Sequence, residues 1–467
     1  MLFNSYGFVV FLAVSWCAYR LIQKWRWPRV LWLLLISVFF YGCWNPWYLV
    51  LIAISTVTSY YIGKAIHQSK SDASRKWLLI AGVSCDLLLL GTFKYGNFFI
   101  ENVEAMTIWA GVDTRFSRIP GALPVGISFY TFQTLSYTID LYKRQIKPAR
   151  NLGEFALFVA FFPQLVAGPI VRAREFLPQL IQRPRLHPRY IGEGIFLIVA
   201  GLAKKMIIAD TLYVSVVQPY FNAPEGHNAI ESIGVLWAAN FQVYCDFSGY
   251  SDVAIGAALL FGFQLPLNFN RPFWSRTPME HWRRWHITLS TWLRDYLYFP
   301  LGGSQKGAWK TQRNLIITFL LGGLWHGAGW TFLLWGLYNG VLLAVWRKLS
   351  PEPAKTRLGI AMEVFATFNS ICLGLIFLHA HSFADAWTIL GSLFNFTAPF
   401  TGVFGPFGLG MLAFAMLLHG TPQSWKERLQ AACGVTPAWI LGIMVVIAGG
   451  ILSLFAGFSN PFFYFQF

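Results

Sequence analysis

Apolar runs of membrane-spanning length alternate with short polar segments along the chain. The first four runs are residues 2–22, 30–44, 47–66 and 77–93, and similar runs continue towards the C-terminus. A helix needs about 20 apolar residues to cross the hydrocarbon core of a bilayer. The pattern predicts an all-α polytopic membrane protein of about 10–12 transmembrane helices, with re-entrant and amphipathic interfacial helices in addition.

Basic residues collect in the short segments between the runs and predict an orientation. A basic segment follows the first run, whereas a cleaved signal peptide has its basic segment in front; these residues are Arg20, Lys24, Arg26 and Arg29. Short loops rich in Lys and Arg face the cytoplasm. We therefore expect both termini on the outer side, together with an outer loop over 94–121, where acidic and basic residues are equal in number.

Residues 153–171 depart from this alternation. Pro163, Gly168 and Pro169 interrupt the run, and basic residues lie on both sides of it; those that follow are Arg172, Arg174, Arg183, Arg185 and Arg189. Irregular backbone at membrane depth must be surrounded by protein or water rather than by lipid. The segment is therefore predicted to be a re-entrant element entered from the cytoplasm.

Residues 315–346 contain no Asp, Glu, Lys or Arg over 32 positions, and Arg347 and Lys348 follow them. Basic residues at both ends imply an even number of crossings. As one helix the run measures roughly 48 Å, which is long for one span and short for two. We expect a hairpin that breaks in a glycine-rich stretch; its glycines are Gly322, Gly323, Gly327 and Gly329.

The run 230–264 carries polar residues in an apolar context. Its segment VYCDFSGYSDVAIG (243–256) predicts a helix that breaks near Ser248, and two acids, Asp246 and Asp252, lie on either side of that break. Such acids hold a cation or cap helix ends, and capping is the favoured interpretation. Lys204 and Lys205, in the preceding run, line a polar cavity or reach the interface.

Composition agrees with a membrane protein and excludes other classes. The 467 residues are 56% apolar and 12% charged, about half the charge of a soluble domain. Lys and Arg number 36 against 20 acids, but they are spread over loops rather than gathered in a patch that would bind nucleic acid. Six Cys in so long a chain do not form a disulfide framework.

His326 is the foremost candidate for chemistry. It lies in GGLWHGAGW, 13 residues beyond Arg313 and thus roughly 20 Å deep if the segment is helical. An ionisable residue at that depth is a functional-site hypothesis by default. Imidazole near pH 7 can take a proton from a hydroxyl as a general base. The alternative is a neutral His that bonds between helices.

His286 lies in a different setting, the segment MEHWRRWHITLSTWLRDYLYFP (279–300). On one continuous helix, His286 shares an apolar face with Trp285, whereas Arg294 lies on the opposite face. The pattern predicts an amphipathic helix at the cytoplasmic interface. Motifs of zinc, nucleotide and serine hydrolases are missing from the sequence, so no metal site is predicted.

Five stretches together resemble the membrane-bound O-acyltransferase family, and the resemblance extends over nearly the whole chain. They are PVGISFYTFQTLSYTIDLY (124–142), FFPQLVAGPIVR (161–172), DFSGYSDVAIG (246–256), NFNRPFWSRTPMEHWRRWHITLSTWLRDYLYFPLGG (268–303) and GGLWHGAGWTFLLWGLYNG (322–340). The resemblance implies one domain over 1–467, with N-terminal spans over 1–122, a catalytic core over 123–347 and C-terminal spans over 348–467.

The resemblance also implies a funnel or tunnel between the helices and a buried catalytic His, a role that falls on His326, with His286 as the second catalytic position. Residues expected to line the tunnel or bind substrate are Trp325, Asn339, Trp285, Asp295, Arg294, Ser248 and Tyr250. Many members of the family have a second His where this chain has Asn339. Because an amide does not titrate, a relay through that position is not expected here.

Within the family, the chain more closely resembles the bacterial branch that O-acetylates exopolysaccharides. This resemblance implies an acyltransferase of the bacterial inner membrane that uses a cytoplasmic acetyl thioester, acetyl-CoA, as co-substrate without a bound cofactor. Its partners are periplasmic acetyltransferase proteins and an exopolysaccharide of the alginate or cellulose kind. Three alternatives remain: D-alanyl transfer to teichoic acid, a transporter or flippase, and a scaffold for export.

Overall fold

The computed structural model describes residues 1–120, 123–182, 187–349, 352–458, 460 and 462. Arg183 and Arg185, two of the basic residues that mark the predicted cytoplasmic loop, lie outside this part. The described residues form helices and connecting segments and contain no strand, which confirms the all-α prediction. The chain divides into two compact units, one of residues 1–190 and 257–266, the other of 191–256 and 267–466.

The first unit begins with four apolar helices that correspond to the first four predicted runs. They are α1 (Tyr6–Ile22), α2 (Arg26–Gly42), α3 (Tyr48–Gln68) and α4 (Asp72–Leu90). Ser5 and Ser71 cap α1 and α4, because each hydroxyl accepts a hydrogen bond from a backbone N–H of the first turn. The apolar pattern therefore locates these helices within a few residues.

The prediction of a loop over 94–121 is wrong for its first half. A π-helical turn at Gly91–Tyr95 carries α4 directly into α5 (Gly96–Trp109). Glu104 of α5 bonds to Arg118 at 2.7 Å and to the backbone N–H of Phe116 at 2.8 Å. The acidic and basic residues of 94–121 therefore belong to helical segments and to a following segment that hydrogen-bonds to α5.

The interrupted run 153–171 is irregular, as predicted. Helix α6 (Ile127–Tyr142) precedes it and α9 (Ala173–Ile181) follows it. Two short helices, α7 (Leu152–Ala160) and α8 (Phe162–Leu165), occupy most of it, and α8 has Pro163 in its first turn. Residues 157–173 are buried without exception. This irregular backbone thus lies inside protein, and its re-entrant course through a membrane stays a prediction.

The second unit begins with a bent helical stretch and one long helix. Helix α10 (Pro188–Leu202) continues through π-helical turns and two short helices, α11 (Asp210–Leu212) and α12 (Gln218–Asn222). Helix α13 (Ala229–Leu260) is continuous over 32 residues, so the predicted break near Ser248 is wrong. Gly249 serves close packing instead, since a Cβ there would lie 2.6 Å from the backbone oxygen of Gly201 on α10.

The rest of the second unit consists of paired and peripheral helices. They are α14 (Pro278–Arg284), α15 (Ile287–Leu293), α16 (Ala308–His326), α17 (Trp330–Leu349), α18 (Arg357–His379), α19 (Phe383–Ser392), α20 (Pro406–Gly420), α21 (Gln423–Val435) and α22 (Ala438–Leu454). In the described part, three helices are long and apolar enough to cross a membrane, Tyr48–Gln68, Asp72–Trp109 and Arg357–His379. The count of 10–12 spans stays a prediction.

Helices α16 and α17 form the predicted hairpin. The chain turns at Gly327–Gly329, whereas Gly322 and Gly323 remain inside α16. Glycines hold the two helices at close distance, because a Cβ on Gly340 of α17 would lie 2.8 Å from the Cα of Ile316 on α16. Both helices approach through their backbones, as in other small-residue packing of membrane helices.

Gly340→Val is expected to lower the free energy of unfolding by about 1–3 kcal/mol, since the new side chain must push two backbones apart. Thermal unfolding of the purified protein in detergent measures the change. Gly450→Val is the matched control, because nothing lies within 4 Å of a Cβ at Gly450 in α22. Equal melting temperatures of the two variants would contradict the close packing of α16 on α17.

Candidate functional site

His326 is the last residue of α16 and is 4% exposed. Gly327 ends the helix with an extended conformation (φ −162°, ψ 156°). The imidazole lies between two indoles, with ring centroids 5.0 Å from Trp325 and 4.7 Å from Trp335, and both contacts are edge-on. The hairpin turn therefore places a titratable ring in a buried position against two indoles rather than on a helix surface.

His286 is fully buried and lies between α14 and α15. The prediction of one continuous amphipathic helix is wrong, because Trp285 is extended and His286 has a left-handed backbone (φ 41°, ψ 54°). The segment after α13 causes the break. Its Asn268 carbonyl accepts the N–H of Ile287 at 2.9 Å, and its Asn270 N–H donates to Arg284 at 2.8 Å.

Asn268 also holds the His286 ring and determines its tautomer. The Asn268 Oδ1 accepts from the backbone N–H of Thr288 at 3.3 Å and from its hydroxyl at 2.9 Å. An atom that accepts from a backbone N–H is the amide oxygen, so His286 Nδ1, 3.1 Å away, must donate to it. In the neutral ring the basic lone pair is then on Nε2.

Trp325 lies next to both imidazoles and joins them in one cluster. Its ring centroid is 5.9 Å from His286 and 5.0 Å from His326. The structure therefore brings together three residues that the sequence proposed, although they come from two different elements.

Three further residues of this cluster were missed by sequence reasoning. Asn268 orients His286, Phe247 packs edge-on against it at 4.6 Å, and Trp335 packs against His326. A buried Asn at the start of the motif NFNRPFW was the available signal for Asn268. Phe247 and Trp335 carry no signal that separates them from the many other aromatic residues.

Three more of the residues predicted to line the tunnel are Trp285, Ser248 and Tyr250. Each contacts another residue of the second unit. Trp285 packs on Phe269, with centroids 5.1 Å apart, and is buried. Ser248 accepts a hydrogen bond from the Lys204 ammonium group at 3.2 Å. Tyr250 is buried and lies 4.7 Å from the ring of Phe462.

Three other predicted residues make local contacts of their own. Arg294 and Asp295 form an ion pair at 2.7 Å with the Arg294 side chain half exposed. Asn339 is buried in α17, and its amide donates to the carbonyl of Trp335 in the same helix at 2.9 Å. These three residues thus bond to residues close to them in the chain.

The acids of α13 pair with lysines, so the favoured interpretation as helix caps is wrong. Lys205 lies 2.7 Å from both Asp246 and Asp210. Lys204 and Asp252 are 2.5 Å apart. Ammonium groups occupy the places that a cation would take, and the described residues contain no group of three metal-ligating side chains.

Lys205→Met is expected to destabilise the protein strongly. The substitution leaves two buried carboxylates without their cation, and removing one partner of a buried pair costs about 3–5 kcal/mol. The thermal midpoint in detergent and the amount of protein in the membrane both measure the effect. Lys310→Met, at an exposed position of α16, is the control. An unchanged midpoint for Lys205→Met would contradict the pairing.

Residues 40–378 match MBOAT, the membrane-bound O-acyltransferase family. The chain belongs to the membrane-bound O-acyltransferase family. The match includes both histidines, Asn268 and the α16–α17 hairpin, and ends before α20. The protein is accordingly a membrane acyltransferase, which confirms the family resemblance and the enzyme class expected from the sequence.

Similarity to individual proteins extends over more of the chain than the family match does. The chain is 37% identical to a probable alginate O-acetylase of Azotobacter vinelandii over 94% of this chain and 95% of the relative. It is 38% identical to a peptidoglycan O-acetyltransferase of Helicobacter pylori, over 84% and 79%. A teichoic acid D-alanyltransferase of Bacillus subtilis is 29% identical over 54% of this chain and 67% of the relative.

Proposed function

We propose that this acyltransferase moves an acetyl group from acetyl-CoA to a hydroxyl on a cell-envelope or secreted polymer, with His326 as the general base. The observation that carries the proposal is the cluster of two buried imidazoles that both contact Trp325. An ionisable group inside a membrane protein is costly to keep and is by default a functional-site hypothesis. An acyl transfer needs such a group, since the acceptor hydroxyl must lose its proton.

In the chemical step His326 acts first as the base and then as the acid. His326 takes the hydroxyl proton while the acceptor oxygen attacks the thioester carbonyl and forms the new C–O bond. The C–S bond then breaks, and the leaving thiolate takes the proton back from the imidazolium. The products are an acetyl ester and free CoA. His286 orients the donor or stabilises the oxyanion, a role for which Asn268 holds its ring in place.

The aromatic walls assist by excluding water. Trp325 and Trp335 pack against the buried His326, so water has little access to an activated acyl group held beside it. Holding donor and acceptor together also lowers the entropic cost of the encounter. The residues proposed to line the tunnel or bind substrate are Trp325, Asn339, Trp285, Asp295, Arg294, Ser248 and Tyr250.

We propose the bacterial inner membrane as the location, with both termini periplasmic. The basic loops then face the cytoplasm, where they attract the phosphates of acetyl-CoA. The acceptor arrives from the periplasmic side. It is an exopolysaccharide of the alginate or cellulose kind, reached directly or through a periplasmic acetyltransferase partner. The full-length similarity to alginate O-acetylases supports this acceptor class. Residues 1–467 act as one domain with the catalytic core at 123–347.

Sealed membrane vesicles test the donor and its side of access. Inside-out vesicles given acetyl-CoA labelled in the acetyl group should transfer label to polymer or partner protein. Right-side-out vesicles should do so only after they are made permeable. Transfer from intact right-side-out vesicles would contradict the cytoplasmic donor side. If acetyl-CoA does not support transfer but another acetyl thioester does, the donor assignment is wrong and the assignment of acetyl transfer stands.

D-alanyl transfer to teichoic acid is the second candidate. The similarity to teichoic acid D-alanyltransferases favours it, although that similarity covers only 54% of this chain. The two functions differ in donor, since D-alanyl transfer requires an aminoacyl thioester. Analysis of ester-linked groups released from the cell envelope by mild alkali distinguishes them. Acetate that depends on this protein supports the first candidate, and D-alanine supports the second.

A further inference from the structure

A cavity of about 430 Å³ lies in the second unit and borders the imidazole cluster at Asn268. Its walls come from the end of α10, the middle of α13, the segment 267–271 and helices α20 and α21. The volume falls in the range of roughly 300–1,000 Å³ that is typical of ligand sites. Helices α20 and α21 lie beyond residue 378, where the family match ends, so the cavity is built partly from a segment outside that match.

The cavity has more positive than negative charge. Lys204 and Lys426 share a single carboxylate, Asp252, at 2.5 and 3.0 Å. One ammonium charge is therefore left without a counter-charge among the cavity walls. Arg271 adds another positive charge. His419 adds none in this geometry, because its Nε2 accepts the backbone N–H of Phe273 at 3.3 Å.

Arg271 has free capacity to bind an anion. One of its terminal nitrogens donates to the carbonyl of Gly420 at 3.1 Å, and the guanidinium lies over Trp274 at 5.3 Å. Its Nε is buried and has no hydrogen-bond partner among the described residues. The residue has a left-handed backbone with φ 47°. Such strain in a residue other than glycine is typical of ligand sites.

The edge of the cavity is apolar and exposed. Leu418 of α20 and Trp425 and Leu429 of α21 line it and present large apolar surfaces outwards. Such surfaces on a membrane protein contact lipid chains. A cationic interior beside an apolar edge suits an amphiphile whose negative group enters the cavity while its hydrocarbon part stays outside. A soluble phosphate compound leaves the apolar edge without a role.

We propose that this cavity binds the phosphate headgroup of an anionic phospholipid. Arg271 and Lys426 contact the phosphate, and the acyl chains lie along Leu418, Trp425 and Leu429. The C-terminus is expected on the outer side and α22 is the last apolar helix before it, so α21 is expected at the cytoplasmic interface. Basic pockets between membrane helices bind anionic headgroups there. The site adjoins the proposed acyl-transfer site at two of its walls, Asn268, which holds His286, and Ser248, one of the proposed tunnel-lining residues.

Lipid titration with native mass spectrometry tests the proposal on the full chain in neutral detergent. Phosphatidylglycerol should bind at least tenfold more tightly than phosphatidylcholine with the same acyl chains. Arg271→Gln combined with Lys426→Gln should remove that preference. Arg428→Gln, an exposed charge change on the same helix, should keep it. Lys426→Arg should keep it as well, because the charge remains.

Folding and the identity of the ligand are controlled in the same experiment. Each variant is compared with the wild type by its elution profile and thermal midpoint, so a loss of binding counts only for folded protein. Acetyl-CoA and inorganic phosphate are titrated in parallel. Equal affinity for the two lipids, or a preference that survives the double substitution, would overturn the proposal. Binding of acetyl-CoA, but not of phosphatidylglycerol, that depends on Lys426 would also overturn it. Because the readout is binding, it stands independently of any acetylation activity.

Discussion

His326→Ala is expected to abolish acetyl transfer while the protein remains in the membrane at its normal level. A positioned general base contributes about 10²–10⁴-fold to a proton-transfer step. No water is expected to substitute for it, because the ring is buried and packs against Trp325 and Trp335. The rate of label transfer in vesicles and the acetyl content of the polymer both measure the loss.

His326→Gln sharpens this test, because glutamine keeps a hydrogen-bonding group but does not accept a proton at neutral pH. We expect its activity to be nearly as low as that of the alanine variant. His381→Ala is the matched control, since that His is exposed and belongs to the same unit. Substantial activity in the glutamine variant would show that His326 acts as a structural hydrogen-bonding residue, and the general-base assignment would fail.

The fold could be predicted well wherever hydrophobicity alone decides the structure. The first four helices and the α16–α17 hairpin follow from the lengths of apolar runs and the positions of charges. The errors arise where helix geometry changes without a change in polarity. The π-helical turn at Gly91–Tyr95 extends a helix through residues that were counted as loop. Gly249 permits close helix packing in α13 rather than a break.

The candidate site could be predicted only in part, for a related reason. His326 stands out because it is the one histidine in a long apolar run without Asp, Glu, Lys or Arg. The position of His286 depends on a tertiary contact, since the Asn268 segment pairs with the chain and divides one expected helix into two. Asp246 pairs with a lysine from another helix, a contact that no local pattern indicates. Contacts between distant segments therefore set the details of the site.

Replacing His286 separates the role of its ring from that of its backbone. The residue has φ 41°, a region that glycine adopts freely and in which asparagine is enriched. His286→Gly and His286→Asn should therefore fit the turn between α14 and α15. We expect both proteins to reach normal levels and to transfer acetyl groups about 100-fold more slowly. The loss follows because the imidazole that Asn268 orients is gone.

Two further measurements decide whether the ring acts in the reaction. Imidazole added to the glycine variant should restore part of the rate, because it enters the space that the side chain leaves, and it should have no effect on His326→Gln. His286→Val should fail to accumulate, since a β-branched side chain is strained in the left-handed region. Normal activity in the glycine and asparagine variants, together with loss of the valine variant, would assign His286 a purely structural role. The chemistry would then rest on His326 alone.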